Sequence, residues 1–314
     1  MPMFGEKATI PAKKRIVFLG DSITDDGTYI SYLDAYFRIR EPEVELELIN
    51  LGVSSETASG LSEPAHPFPR PCVFDRLNRA LAETEPEWVV VCYGMNDGIY
   101  YPLSEERFEA YKAGMRRLLR TIRAAGAKAI AVTPPPFDPA SLDRASERLR
   151  PVDAAEFSYD TPYEDYESVL KTYADWVLEL DESRADGVAS IHEPMLAWIR
   201  ESREKDPEYR TGDGIHPNRQ GHWVIAKSLL AELFGVKLES APGYVADPEG
   251  ASAAYPLVWE RHRLLSAAWK EHVGHTNIWK AEGALPLAEA KAQAAELEAR
   301  IRAAAESHPE ERFV

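Results

Sequence analysis

Four short apolar runs in the first half of this 314-residue chain each stop at a glycine or proline, and each leads, directly or after a loop, into a segment of helical periodicity. The runs are RIVFLG ending at Gly20, VELELINLG at Gly52, WVVVCY before Gly94, and Ala127 to Thr133 before Pro134. The helical segments between and after them are Tyr29–Arg40, Val73–Glu83, and a long helix that Ser104 caps and Gly126 ends. Farther on, a helix is expected from about Tyr163 to Asp186. A short strand VASI, a helix over His192–Lys205 and a helix GHWVIAKSLLAELFG follow. Continuous apolar strands alternating with helices predict an α/β fold: a parallel sheet covered on both faces, with its ligand site at the carboxyl ends of the strands.

The first strand exit reads Gly20-Asp21-Ser22-Ile23-Thr24 and lifts one hydroxyl, Ser22, out of the sheet. A serine there can simply cap the next helix. Nucleophilic chemistry would need a base, a group orienting that base, and donors for a developing oxyanion. Asp213-Gly-Ile-His216 offers the base and its orienter, because a carboxylate three residues before a histidine in a loop can hold the ring nitrogen facing away from the serine. The backbone N–H of Ser22, the backbone N–H of Gly52 and the side-chain amide of Asn96 fit the oxyanion donors. Asp21 and Asp97 are read as supporting residues, Asp97 by ordering the Asn96 turn.

The charge balance excludes other classes. With 36 Lys and Arg against 52 Asp and Glu, net −16, no basic stripe is available for nucleic acid or anionic membrane. The first residues are too polar for a signal peptide and no later run approaches transmembrane length, so a cytoplasmic protein is expected. Cys72 and Cys92 do not form a CxxC pair and read as reduced thiols. His272 and His275 lack a third ligand and read as a surface pair rather than a metal site. Tyr100 and Tyr101 suit either stacking on a sugar ring or core packing. No G-x-S-x-G elbow is present.

The ordered blocks GDSIT (Ser22), NLG (Gly52), GMND (Asn96) and DGIH (Asp213, His216) resemble the GDSL, or SGNH, hydrolase superfamily over roughly residues 15–235. Ile23 and Thr24 depart from the name-giving pattern without touching a catalytic atom. The resemblance implies a flavodoxin-like, three-layer α/β/α fold with a five-stranded parallel sheet. It implies ester hydrolysis in two steps with no metal or organic cofactor needed: His216 takes the Ser22 proton, the serine attacks the ester carbonyl, and water releases the acid. Residues 1–235 would form the catalytic domain. The expected substrate is a small acyl ester, foremost the O-acetyl group of a carbohydrate, with a lysophospholipase or acyl thioesterase as the alternative. The reading of another class is a catalytically silent glycan-binding or assembly module.

Residues 53–70 read as an exposed loop, and 136–162 as an irregular excursion near the site. Residues 236–314 form a separate extension: a loop to 256, a helix over Leu257–Val273, and an alanine-rich helix over Leu287–Ser307. In the last helix Ala290, Ala294, Leu297, Ile301 and Ala304 make a narrow seam, backed by the pairs Glu296–Arg300 and Glu298–Arg302. Such a seam packs on one partner helix, in this chain or in a second subunit, so the extension is expected to build a homo-oligomer interface or to close over the site.

Overall fold

β1 (Lys14–Gly20) runs through the middle of the sheet, and Ile16, Val17, Phe18 and Leu19 are each at most 1% exposed. A strand buried on both faces has no use for alternation, which is why it reads as an unbroken apolar run. Each such side chain contributes about 1.5–3 kcal/mol on burial. The computed structural model describes Met3 and residues 14–44, 46–142, 148–275 and 283–308. The N-terminal segment used for the leader expectation, and residues 143–147 of the irregular excursion, lie outside these.

The chain continues as α1 (Ser22–Asp26), α2 (Thr28–Ala35, extended to Arg40 by a wider π-type turn), β2 (Leu46–Asn50), α3 (Leu77–Thr84) and β3 (Trp88–Cys92). Next come α4 (Glu105–Ala124), β4 (Lys128–Val132), α5 (Tyr166–Leu178), β5 (Gly187–Ala189), α6 (His192–Lys205) and α7 (Arg219–Phe234). The five strands are all parallel in the order β2-β1-β3-β4-β5, the flavodoxin-like arrangement, with helices on both faces. The strand order reverses between β1 and β3. In such sheets the ligand site lies outside the carboxyl ends at this point, and Ser22 and Asn96 follow the ends of those two strands.

Local signals hold at most boundaries. Ser104 caps α4 by accepting from the Arg107 N–H at 3.2 Å, and Gly126 (φ 87°) follows its end. Two helices are shorter than periodicity indicates. A single 3-10 turn, Val73–Asp75, precedes α3, and α5 stops at Leu178, with Leu180 buried in the turn beyond it. Residues 53–70 differ more. Val53, Glu56, Thr57, Ala58, Glu63 and Arg70 are buried, because two bidentate ion pairs, Arg76–Glu56 and Arg70–Glu63, give the polar side chains partners inside the fold.

The extension comprises α8 (Gly243–Ala246), α9 (Tyr255–Val273) and α10 (Leu287–Ser307). α10 lays Ala290, Ala294, Leu297 and Ile301 against α9 of the same chain, with Ala305 rather than Ala304 closing the seam. Glu298 faces Arg38 and Arg261 as well as Arg302, and so ties α10 to α2 and α9. α9 in turn packs on α2 and β2.

Candidate active site

Ser22 is the first residue of α1, and Asp21 is its cap: the Asp21 carboxylate accepts from the Ile23 N–H at 3.0 Å. A helix of one turn leaves its first amides without intrahelical partners, so the Ser22 N–H points out of the helix start with the positive end of the helix dipole behind it. Ser22 Oγ lies 2.8 Å from His216 Nε2. His216 Nδ1 lies 2.8 Å from Asp213 Oδ2, while Asp213 Oδ1 accepts the backbone N–H groups of Ile215 and His216 at 2.9 and 2.7 Å. Both oxygens of Asp213 are therefore engaged, and the imidazole is held with Nδ1–H toward the carboxylate and Nε2 free to accept the serine proton.

The electrostatics follow from this geometry. Partial burial pulls the His216 pKa down. The hydrogen bond and charge of Asp213, with Asp21 and Asp26 nearby, outweigh it and raise the imidazole above its ordinary 6.5. Burial would raise Asp213, yet its bonds to His216 and Ile215 hold it down at about 2. Asp21, only 3% exposed, is pushed up to about 7 by burial. His222 is buried against Tyr29, and burial lowers it to about 4, so the second histidine near the site stays neutral.

The loop carrying Asp213 and His216 is held by a segment that the sequence shows only as irregular. The Asp138 N–H donates to the Gly214 carbonyl at 2.9 Å, and Asp138 Oδ2 accepts from Thr211 Oγ1 at 2.6 Å and Arg203 Nη2 at 2.7 Å. Asp138 and Arg203 carry no motif; each looks like an ordinary loop or helix charge until the fold brings them together.

On the opposite side, Asn96 is oriented from behind. Tyr100 OH donates to Asn96 Oδ1 at 3.0 Å, and one amide hydrogen of Asn96 reaches the Glu56 carbonyl at 3.3 Å, which leaves the second for another acceptor. Tyr100 is 1% exposed and stacked on Tyr166, and Tyr101 packs on Phe157 and Arg107, so both tyrosines belong to the packing of this wall. Asp97 is buried, accepts the Ala58 and Ser59 N–H groups at 2.9 and 2.7 Å, and is raised to about 6 by burial. It fastens the 53–60 loop to the Asn96 turn.

Gly52 has a different task from the expected one. Its N–H donates to Asn50 Oδ1 at 2.9 Å. A Cβ at this position would sit 2.3 Å from the Asp25 nitrogen, so glycine is what allows β2 to exit directly beneath α1. An amide without a partner lies three residues on. Val53 O accepts from the Glu56 N–H at 3.1 Å and closes a turn whose third residue, Ser55, has φ 67°. Among the described residues the Ser55 N–H makes no hydrogen bond. Its neighbours are fixed on both sides: Ser54 bonds Asp25, and the Glu56 carbonyl meets Asn96. A serine in a left-handed position gives no sequence signal, since glycine or asparagine is the residue expected there.

Other sites carry less. His272 pairs with Glu83 at 2.9 Å, and the described residues contain no cluster of three metal-ligating side chains. Cys72 and Cys92 are free thiols, both raised by burial. No helix among the described residues is long and apolar enough to cross a membrane.

A family model described as GDSL-like lipase/acylhydrolase matches residues 18–224. An acetylxylan esterase of Geobacillus stearothermophilus is 21% identical over 245 residues, 71% of this chain and 95% of that protein. Among solved structures, LAE5, an alpha/beta hydrolase enzyme from the metagenome of Lake Arreo, Spain, aligns at TM-score 0.52 and 21% identity over 74% of this chain and 97% of its own. BT4096, a gut microbial diltiazem-metabolizing enzyme, aligns at TM-score 0.55 and 22% identity over 71% of this chain, which is 47% of that longer protein. At such identities the structural likenesses speak for the fold.

Proposed function

This chain belongs to the GDSL-like lipase/acylhydrolase family and is an esterase of that type, and from that premise we propose that it hydrolyses short acyl esters of carbohydrates with Ser22 as nucleophile. The observation that carries the reading is the aligned pair of 2.8 Å contacts, Ser22 Oγ to His216 Nε2 and His216 Nδ1 to Asp213 Oδ2. His216 takes the hydroxyl proton as Ser22 attacks the acyl carbon, and Asp213 steadies the imidazolium. The same histidine returns the proton to the leaving sugar hydroxyl. It then draws a proton from water, which attacks the acyl-enzyme, and passes that proton to Ser22 Oγ as the ester bond breaks and the acid is freed.

The negative charge on the former carbonyl oxygen is received by the Ser22 N–H, the second amide hydrogen of Asn96 and the Ser55 N–H. Ser55 takes the place expected of Gly52, whose own N–H is committed to Asn50. Each donor of this kind is worth about 3–4 kcal/mol in the transition state. No cofactor enters these steps.

Support for a carbohydrate O-acetyl substrate is the acetylxylan esterase relative, aligned over nearly its whole length. The test compares acetylated xylo-oligosaccharides with long-chain acyl esters, using the parent and Ser22→Ala. Hydrolysis of the acetylated sugars that disappears in Ser22→Ala, with organophosphate labelling of the parent alone, is the expected outcome. A marked preference for long acyl chains would replace the carbohydrate reading with a lipase-like one. An unlabelled, inactive parent would leave the catalytic assignment without foundation.

A further inference from the structure

The C-terminal extension reaches the catalytic centre through one face of α9. His262, Ser266 and Lys270, spaced by four residues, point the same way and are each at most 8% exposed. His262 Nε2 lies 3.4 Å from Asn50 Nδ2, and Ser266 Oγ donates to the Asn50 carbonyl at 3.3 Å, so the exit of β2 is seated on this face. His262 also fills the space over Gly27, where a Cβ would lie 2.4 Å from its Nε2. Lys270 Nζ pairs with Asp25 Oδ1 and donates to the Asp25 backbone carbonyl at 3.3 Å. The other oxygen, Asp25 Oδ2, accepts from Ser54 Oγ at 2.6 Å and from the Ser54 N–H at 3.2 Å. α9 lies outside residues 18–224 matched by the family model.

Two physical points give these contacts a purpose. α1 is a five-residue helix, too short to hold its own direction, so tertiary contacts decide where the Ser22 N–H and hydroxyl point. A buried ammonium at the carbonyl end of α1 satisfies a backbone acceptor and complements the negative end of the helix. The same Asp25 carboxylate then sets the height of Ser54, the residue before the left-handed Ser55. One lysine therefore fixes, through one aspartate, both the helix that carries the nucleophile and the turn that faces it.

We propose that Lys270 is a positioning residue of the catalytic centre, acting through Asp25 and Ser54 on the oxyanion-binding turn, so that the extension is a working part of the esterase. This rests on the serine-esterase reading above. Lys270 touches no reacting atom; its effect is on the alignment of amides that do. Misplacing a catalytic group by about 1 Å can cost a factor of about 100.

The test uses the full chain with an activated acetyl ester, and compares Lys270→Met, Lys270→Arg, Ser54→Ala and the double variant K270M/S54A with the parent. Folding is followed by circular dichroism and thermal melting. Lys270→Met is expected to lower kcat by about 10- to 100-fold with KM within about twofold, and Lys270→Arg to restore most of the loss. Ser54→Ala is expected to lower kcat on its own, and the double variant to be no worse than Lys270→Met, because both act on one relay.

A folded Lys270→Met with parental kcat overturns the proposal, as does a loss that arginine does not restore, or effects of the two substitutions that multiply. If Lys270→Met fails to fold, Ser54→Ala decides: parental kcat in that variant overturns the relay. The two readings separate cleanly. A parent without Ser22-dependent hydrolysis overturns the esterase reading and this proposal together, whereas an active parent with an indifferent Lys270 overturns only the latter.

Discussion

Asp138 and Gly214 are joined by a 2.9 Å backbone hydrogen bond that ties the segment after β4 to the loop holding Asp213 and His216. The Asp138 carboxylate extends this tie to Thr211 and, across the surface of the domain, to Arg203 on α6. The loop carrying Asp213 and His216 is thus held from outside as well as by its own Asp213 bonds. Asp138→Ala would leave Thr211 and Ser141 hydroxyls and the Arg203 guanidinium without their shared acceptor. We expect kcat to fall by about 10-fold or more and the melting temperature to drop, measured on the same preparation.

His216 must be neutral to accept the serine proton, and its pKa is held above 6.5 because Asp213 outweighs partial burial. The raised value means that the active base form is lost as pH falls through it. The acid limb of kcat/KM should therefore titrate above 6.5 in the parent. Asp213→Asn removes the main raising influence, so the limb should move to lower pH while kcat drops by about 1,000- to 10,000-fold. A limb that stays in place in Asp213→Asn would mean that another group sets it.

Tyr100→Phe deletes the hydroxyl that holds Asn96 Oδ1 and leaves the ring stacked on Tyr166. An amide free to rotate presents its N–H to the oxyanion less often. The expected result is a kcat lower by about 10-fold with little change in KM, since the interaction strengthens only in the transition state. Equal losses in binding of the ground state would contradict that role.

Gly52→Ala places a methyl against the Asp25 nitrogen and the Thr24 backbone, neither of which is the end of a flexible side chain. β2 and α1 must then separate. Destabilisation of about 1–3 kcal/mol is expected in urea melts, with loss of activity because α1 carries Ser22.

The architecture was legible because both of its signals are local. A strand covered on two faces must be apolar along its whole length, and each strand must be punctuated where the chain turns, so RIVFLG, WVVVC and their glycine exits announce a parallel sheet without reference to anything distant. The Asp213–His216 contact was legible for the same reason: the two residues stand only three positions apart. What only the tertiary structure decided is which polar groups find partners and how the backbone turns to meet them, whether those partners are near in the chain or far. Residues 53–70 look exposed by composition, yet Glu56 and Glu63 are buried because Arg76 and Arg70 arrive to pair with them. Gly52 looks like an oxyanion donor until Asn50 is seen to take its N–H, and Ser55 shows nothing until its φ is known. On α9 the face that meets β2 and α1 is polar, carrying His262, Ser266 and Lys270. Polar groups are buried only where partners await them, and those partners, Asn50 and Asp25, lie more than two hundred residues away in sequence.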